Sequence, residues 1–327
     1  METAYYKPSG KISPKFFLYF LLFMVVSIPI LSVAYIYINH YIPFIYLNFF
    51  ITVGCGLAVG VLAGFAAKRG KARNPKIVYL CVFIAMVVMK YVQWAVYIPL
   101  IFSEVYGIWH LSFGERLVES FYLLFEPDFV LYSAQFINEF GVWGLEFSPV
   151  VRGVPLLIVW IGEFVLMTGA AIFMSSSMIT APFSEEMEGW YTELPEKIEI
   201  DIPQNFEYLK QDMENGNFTQ LIESVRAQRI DPVNFLRITV FQPPEGALSE
   251  PFFLNVEQVT NTIIPHKKKS KEQTKTKTEK LITHIAVDRQ SMMELVAPVE
   301  RTPPPEPQPP VSYDSYDSGE ETEETPV

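Results

Sequence analysis

Four stretches of this chain stay apolar for about 20 residues or more, the length at which a helix crosses the roughly 30 Å hydrocarbon core of a bilayer. They run about 16–38, 44–67, 77–102 and 153–175. A mean hydropathy of +0.21, with half of the 327 residues hydrophobic, agrees with a membrane class. The link around 40–43 is so short that the first two stretches should form a helical hairpin. No small-residue cleavage site follows the first stretch, so it reads as an uncleaved signal anchor.

Basic residues in short loops set orientation. Lys7, Lys11 and Lys15 precede the first span, and Lys68, Arg69, Lys71, Arg73 and Lys76 crowd the link between the second and third. The 103–150 connector has Arg116 alone against seven acids. The pattern places both termini in the cytoplasm. The runs 117–125 and 129–140 within this connector are too short or too polar to cross. Arg116, Glu119 and Glu126 mark one polar edge, and Asp128, Gln135, Asn138 and Glu139 another. Two amphipathic helices on the outer surface are expected, flanked by Trp109 and Trp143. They either anchor in the interface or form a plain lid on the bundle.

Three features inside the spans need explanation. Lys90 and Glu163 lie near the middles of the third and fourth spans, where a charge costs on the order of 2.5–3.5 kcal/mol even on a lenient scale. Their depths match, so they are expected to face inward and pair. Such a pair either fixes helix register or serves an ion, proton or polar substrate. Gly56, Gly60 and Gly64, spaced four apart, share one helix face and let another backbone approach closely. The partner helix is either in the same chain or in a second copy. Cys55 and Cys81 both sit in apolar runs and build no disulfide framework.

Charge divides the chain. Residues 1–180 hold 11 Lys/Arg and 9 Asp/Glu, while 181–327 hold 14 and 27. An acidic half disfavours general nucleic-acid binding, which needs a basic surface. Residues 181–202 read as a polar linker and 203–300 as a small α+β domain. Phe206, Leu209 and Met213 mark one helix, and Phe218, Leu221, Ile222 and Val225 a second. Alternating runs at 235–241, 252–259 and 281–287 read as strands, and Ser291 with Glu294 as the capping box of a last helix. Between the second and third strands, Lys267, Lys268, Lys269, Lys271, Lys275, Lys277 and Lys280 occur with two glutamates. This stretch reads as a flexible loop, either simply solvated or attracted to anionic lipid or an acidic partner. The tail 301–327, Pro-rich and then acidic, lacks core-forming residues and is expected to be disordered.

Catalytic and metal signatures do not occur in the sequence. The histidines at 40, 110, 266 and 284 have no cysteine partners at zinc spacing. No H-E-x-x-H, G-x-S-x-G or Rossmann glycine pattern is present. The segment Gly141-Val142-Trp143-Gly144, then Gly153 and Trp160-Ile161-Gly162-Glu163, resembles uncharacterised bacterial multi-pass inner-membrane proteins of unknown function. So does Pro182-Phe183-Ser184-Glu185-Glu186-Met187-Glu188-Gly189-Trp190-Tyr191 after the last span. The resemblance implies no activity. Where such relatives are expected to carry a cysteine pair, this chain has Ser184 and Met187, so a metal knuckle is not expected.

The reading is a four-helix transmembrane bundle with a small cytoplasmic α+β domain and a disordered tail, in a plasma (bacterial inner) membrane. The expected role is that of a non-enzymatic, membrane-anchored interaction protein without a cofactor. Its soluble domain would meet a protein partner, and the chain could self-associate. The alternative is a small transporter, channel or accessory subunit using Lys90 and Glu163.

Overall fold

The computed structural model describes residues 4–42, 44–141, 150–227, 231–247, 249–264 and 273–296. Four helices are long and apolar enough to cross a membrane: α1 (Pro14–Tyr41), α2 (Ile45–Arg69), α3 (Pro75–Glu104) and α6 (Val154–Met178). Their starts are encoded locally. Ser13 and Asn74 each precede a proline at the first helical position, and each side chain accepts a backbone N–H of the first turn, from Lys15 and Ile77 at 3.3 Å. Proline there gives up an N–H that would have had no helical partner.

The glycine stripe decides how α2 packs. A Cβ on Gly56 would sit 2.2 Å from the Met167 carbonyl oxygen, and one on Gly60 would sit 2.5 Å from that of Ala171. At Gly64 the obstacle is the Met178 side chain. All three glycines therefore face α6 of the same chain. The contacts climb together along both helices, so α2 and α6 run parallel. Only a residue without a side chain permits backbones this close.

Between α3 and α6 lie the shorter α4 (Phe113–Leu123) and α5 (Pro127–Phe140). Ser112 and Glu115 close a reciprocal capping box on α4. Arg116 departs from the polar edge expected of it. It is 9% exposed, forms an ion pair with Glu104 and lies over the Tyr37 ring. A guanidinium beside the end of α3 is drawn inward by the carboxylate there. Trp109 packs on Phe102 and stacks parallel to Phe129. Trp143 lies outside the described residues.

The remainder is a small α/β region with two sheets. A hairpin pairs β1 (Phe183–Ser184) with β2 (Gly189–Trp190). The larger sheet is antiparallel and holds β3 (Thr192–Glu193), β4 (Ile198–Asp201), β5 (Asn234–Gln242), β6 (Phe252–Ile264) and β7 (Gln273–Val287). β5, β6 and β7 form a meander, and β3 and β4 share the far edge of β5. Helices α7 (Phe206–Glu214), α8 (Thr219–Arg226) and α9 (Arg289–Val296) cover one face. Ile200, Leu209, Leu221, Leu236, Leu254 and Ile285 form its core.

Several expectations need correction here. The 181–202 stretch is not a bare linker, because it supplies β1 to β4. Ile198 and Ile200 alternate with acids, and Ile200 is fully buried. The third strand begins at Gln273, not at 281, so Lys275, Lys277 and Lys280 belong to a paired strand. Backbone pairing with β6 overrides a composition that reads as loop. Lys267, Lys268, Lys269 and Lys271, like the 301–327 tail, lie outside the described residues. Asp288, not Ser291, caps α9, its carboxylate accepting the Ser291 N–H at 2.9 Å. Residues near the N-terminus add to the β7 edge, with Ala286 N–H donating to the Ala4 carbonyl at 2.7 Å and Tyr6 N–H to that of His284 at 2.9 Å.

Candidate functional site within the helical bundle

Each of the four long helices contributes one polar side chain to a single cluster. The Lys90 ammonium of α3 donates to Glu163 Oε2 of α6 at 2.9 Å. The Tyr35 hydroxyl of α1 donates to the other oxygen of the same carboxylate. Tyr35 also meets Thr52 Oγ1 of α2 at 3.0 Å, and Thr52 lies 2.8 Å from the Asn48 carbonyl. The glycine contacts explain the convergence. Thr52 precedes Gly56 by one turn, and Glu163 precedes Met167 by one turn. The parallel packing of α2 on α6 therefore brings both to one level.

Proton counting limits what these contacts can be at one time. Two hydroxyls carry two protons. Tyr35 gives its proton to Glu163, so Thr52 chooses between Tyr35 and the Asn48 carbonyl. Lys90 has three N–H donors, and Glu163 is its one hydrogen-bond acceptor among the described residues. About a quarter of each charged side chain is exposed, 22% for Lys90 and 25% for Glu163. One turn further along α3, Gln93 is 1% exposed, and its side-chain oxygen has no partner among the described residues. Its amide rests 3.7 Å from the Met167 sulfur. The Ser32 and Thr168 hydroxyls are also buried without a hydrogen-bond partner among the described residues.

Two further polar assemblies frame the bundle. At one end Glu104 takes hydrogen bonds from Tyr41 (2.8 Å) and Arg116, with His40 at 2.9 Å. This ties the α1–α2 turn to α3 and α4. At the other end the basic loop between α2 and α3 holds the β1–β2 hairpin. Glu185 meets Arg73 at 2.6 Å and Lys11 at 3.3 Å, and Glu188 meets Lys71 at 2.8 Å. The Trp190 indole donates to the Lys68 carbonyl at 3.0 Å, and the Arg73 guanidinium covers the Phe183 ring at 4.7 Å. Burial works against charge on Glu185, but hydrogen bonds from Ser9, Arg73 and Lys11 outweigh it and hold its carboxyl below the usual range.

Of the residues singled out from sequence, Lys90 and Glu163 come together, and Gly56, Gly60 and Gly64 line the α2–α6 contact. Lys275, Lys277 and Lys280 lie on β7 of the larger sheet. Sequence reading missed Tyr35, Thr52 and Gln93, because a single hydroxyl or amide in an apolar helix carries no periodic signal. Matching hydrogen-bonding residues to the depth of Lys90 was the available clue. Among the described residues no three His, Cys, Asp or Glu side chains are grouped to hold a metal ion. Comparison with protein-family models, curated proteins and solved structures finds no match to this chain.

Proposed function

We propose that this chain is a non-enzymatic adaptor of a bacterial inner membrane, with both termini cytoplasmic, that presents its α/β region to a protein partner. One observation carries the reading. The α/β region is held against one end of the bundle through Glu185, Glu188, Phe183 and Trp190. That end bears Lys68, Arg69, Lys71, Arg73 and Lys76, the basic cluster that the positive-inside rule assigns to the cytoplasm. A domain fixed in orientation at the membrane surface meets a partner with less ordering cost than one on a long tether. The exposed basic strand residues Lys275, Lys277 and Lys280 and the acidic tail are its contact elements. Crosslinking in native membranes tests this, comparing the full chain with one ending at Thr180. A partner captured by the full chain alone is the expected result. Identical captures by both would overturn it.

A second reading has its own support. A small transporter, channel or accessory subunit would use the Lys90–Glu163 pair, and the convergence of one polar group from every long helix favours it. Loss of flux on neutralising either charge, with assembly intact, separates this reading from the adaptor.

A further inference from the structure

The Lys90–Glu163 pair lies on the seam between α3 and α6, which carries aromatic pairs to either side. Along α3 the order is Phe83, Lys90, Trp94, and along α6 in reverse it is Phe164, Glu163, Trp160. Trp94 and Trp160 meet edge to face at 4.8 Å, and Phe83 and Phe164 at 6.3 Å. The pair is thus framed by two aromatic walls. Its partly exposed side shares a helix face with Val87 and Val159, which are 47% and 44% exposed. That face belongs to the apolar surface of the long helices, so whatever covers the pair arrives through the bilayer.

The chemistry of the opening restricts the occupant. An ammonium with two N–H groups unused among the described residues calls for hydrogen-bond acceptors. In hydrocarbon such unused donors are costly, because no water is present to take them. Flanking aromatic edges favour a flat ring, since edge-to-face and offset contacts are the preferred aromatic geometries. Access through apolar surface requires solubility in the bilayer. We propose that the α3–α6 seam is a binding site for a bilayer-soluble ring compound with carbonyl oxygens, the quinone class, with its carbonyl on Lys90 and its ring beside Trp94 and Trp160. Glu163 holds the Lys90 amine in place through the 2.9 Å contact. The site is one of binding and needs no redox step.

The test uses the full chain in liposomes of neutral lipid, titrated with decylubiquinone, and reads tryptophan emission. Of the five tryptophans, Trp94 and Trp160 flank the pair. Saturable quenching is expected. Lys90→Gln should weaken the apparent affinity at least tenfold, and Trp94→Phe with Trp160→Phe should remove most of the saturable component. Val87→Phe provides a variant that leaves the ion pair intact but fills the open side, and it should also abolish saturation. Quenching that rises linearly in wild type, or saturation that survives both Lys90→Gln and Val87→Phe, would overturn the proposal. So would efficient Val87→Cys disulfide crosslinking between copies, which would show that a second chain covers the seam.

Discussion

Replacing glycines of α2 one at a time by alanine should give a graded series whose sign changes with position. In a helix interior alanine is favoured over glycine by roughly 1 kcal/mol. At Gly54 nothing lies within 4 Å of the added Cβ, so Gly54→Ala should stabilise by about that amount. At Gly64 the obstacle is the flexible Met178 side chain, with its sulfur 2.7 Å away, so the gain and the cost of moving it should nearly cancel. At Gly56 and Gly60 the obstacles are carbonyl oxygens at 2.2 and 2.5 Å, and a backbone atom cannot rotate aside. Ordinary contact requires α2 and α6 to separate by about 1 Å, and overpacking of this kind costs roughly 1–3 kcal/mol. Rigid obstacles belong at the upper end, which leaves a net loss of about 1–2 kcal/mol after the propensity gain. Thermal unfolding in bicelles measures the series. Equal stability of Gly56→Ala and Gly54→Ala would refute the α2–α6 interface, whatever the absolute values.

Neutralising Lys90 or Glu163 alone should cost about 2–3 kcal/mol by leaving one charge unpaired among the long apolar helices, while Lys90→Met with Glu163→Gln should cost less than either. Additive losses in bicelle unfolding would contradict the pairing. The hold of the hairpin on the basic loop should weaken in acid. The folded carboxyl of Glu185 lies below its ordinary value of 4.5, so its contribution is present above that value and fades as pH falls through the lowered one. Spin-label distances between α3 and β2 should broaden as pH falls below 4.5 and stay constant from 6 to 8. His284, pushed down to about 4 by burial and then by Lys280, should be neutral at pH 7. Its contribution to stability should be complete above 6.5 and decline as pH falls toward 4, and its imidazole resonances should show no midpoint near 6.5.

The half with the four long apolar helices was legible because its signals are long or expensive. An apolar run of span length has few alternatives to a helix, and a lysine and a glutamate at matched depth have few alternatives to each other. The α/β region was legible where strands alternate over a core, as at Phe235 to Phe241, and obscure where pairing alone makes the strand. Lys275 and Lys277 oppose Thr262 and Thr260 in a ribbon where polar residues dominate, so no hydrophobic period announces it. Likewise β1 and β2 are two residues each, and what holds them is tertiary: Arg73 over Phe183 and the Trp190 bond to Lys68. Both partners of those contacts lie more than a hundred residues apart in the chain.

The same separation ties the two ends of the molecule to one pair of helices. α2 carries Thr52 near one end and reaches Lys68 and Arg69 at the other, while α6 carries Glu163 and leads into the β1–β2 hairpin. Between these ends the two backbones touch at Gly56 and Gly60, and Gly64 meets the Met178 side chain. An alanine at Gly60 therefore has two measurable consequences besides lost stability. Forcing the helices apart should lengthen the Tyr35–Thr52 contact one side of the stripe and loosen the Glu188–Lys71 contact on the other. At Gly60 the obstacle is a carbonyl oxygen of a close-packed helix, which cannot absorb the strain locally. Spin labels across each contact should both respond to Gly60→Ala and both ignore Gly54→Ala. A response at one end alone would mean that the glycine contact is a local adjustment and that the bundle does not link its polar cluster to the α/β region.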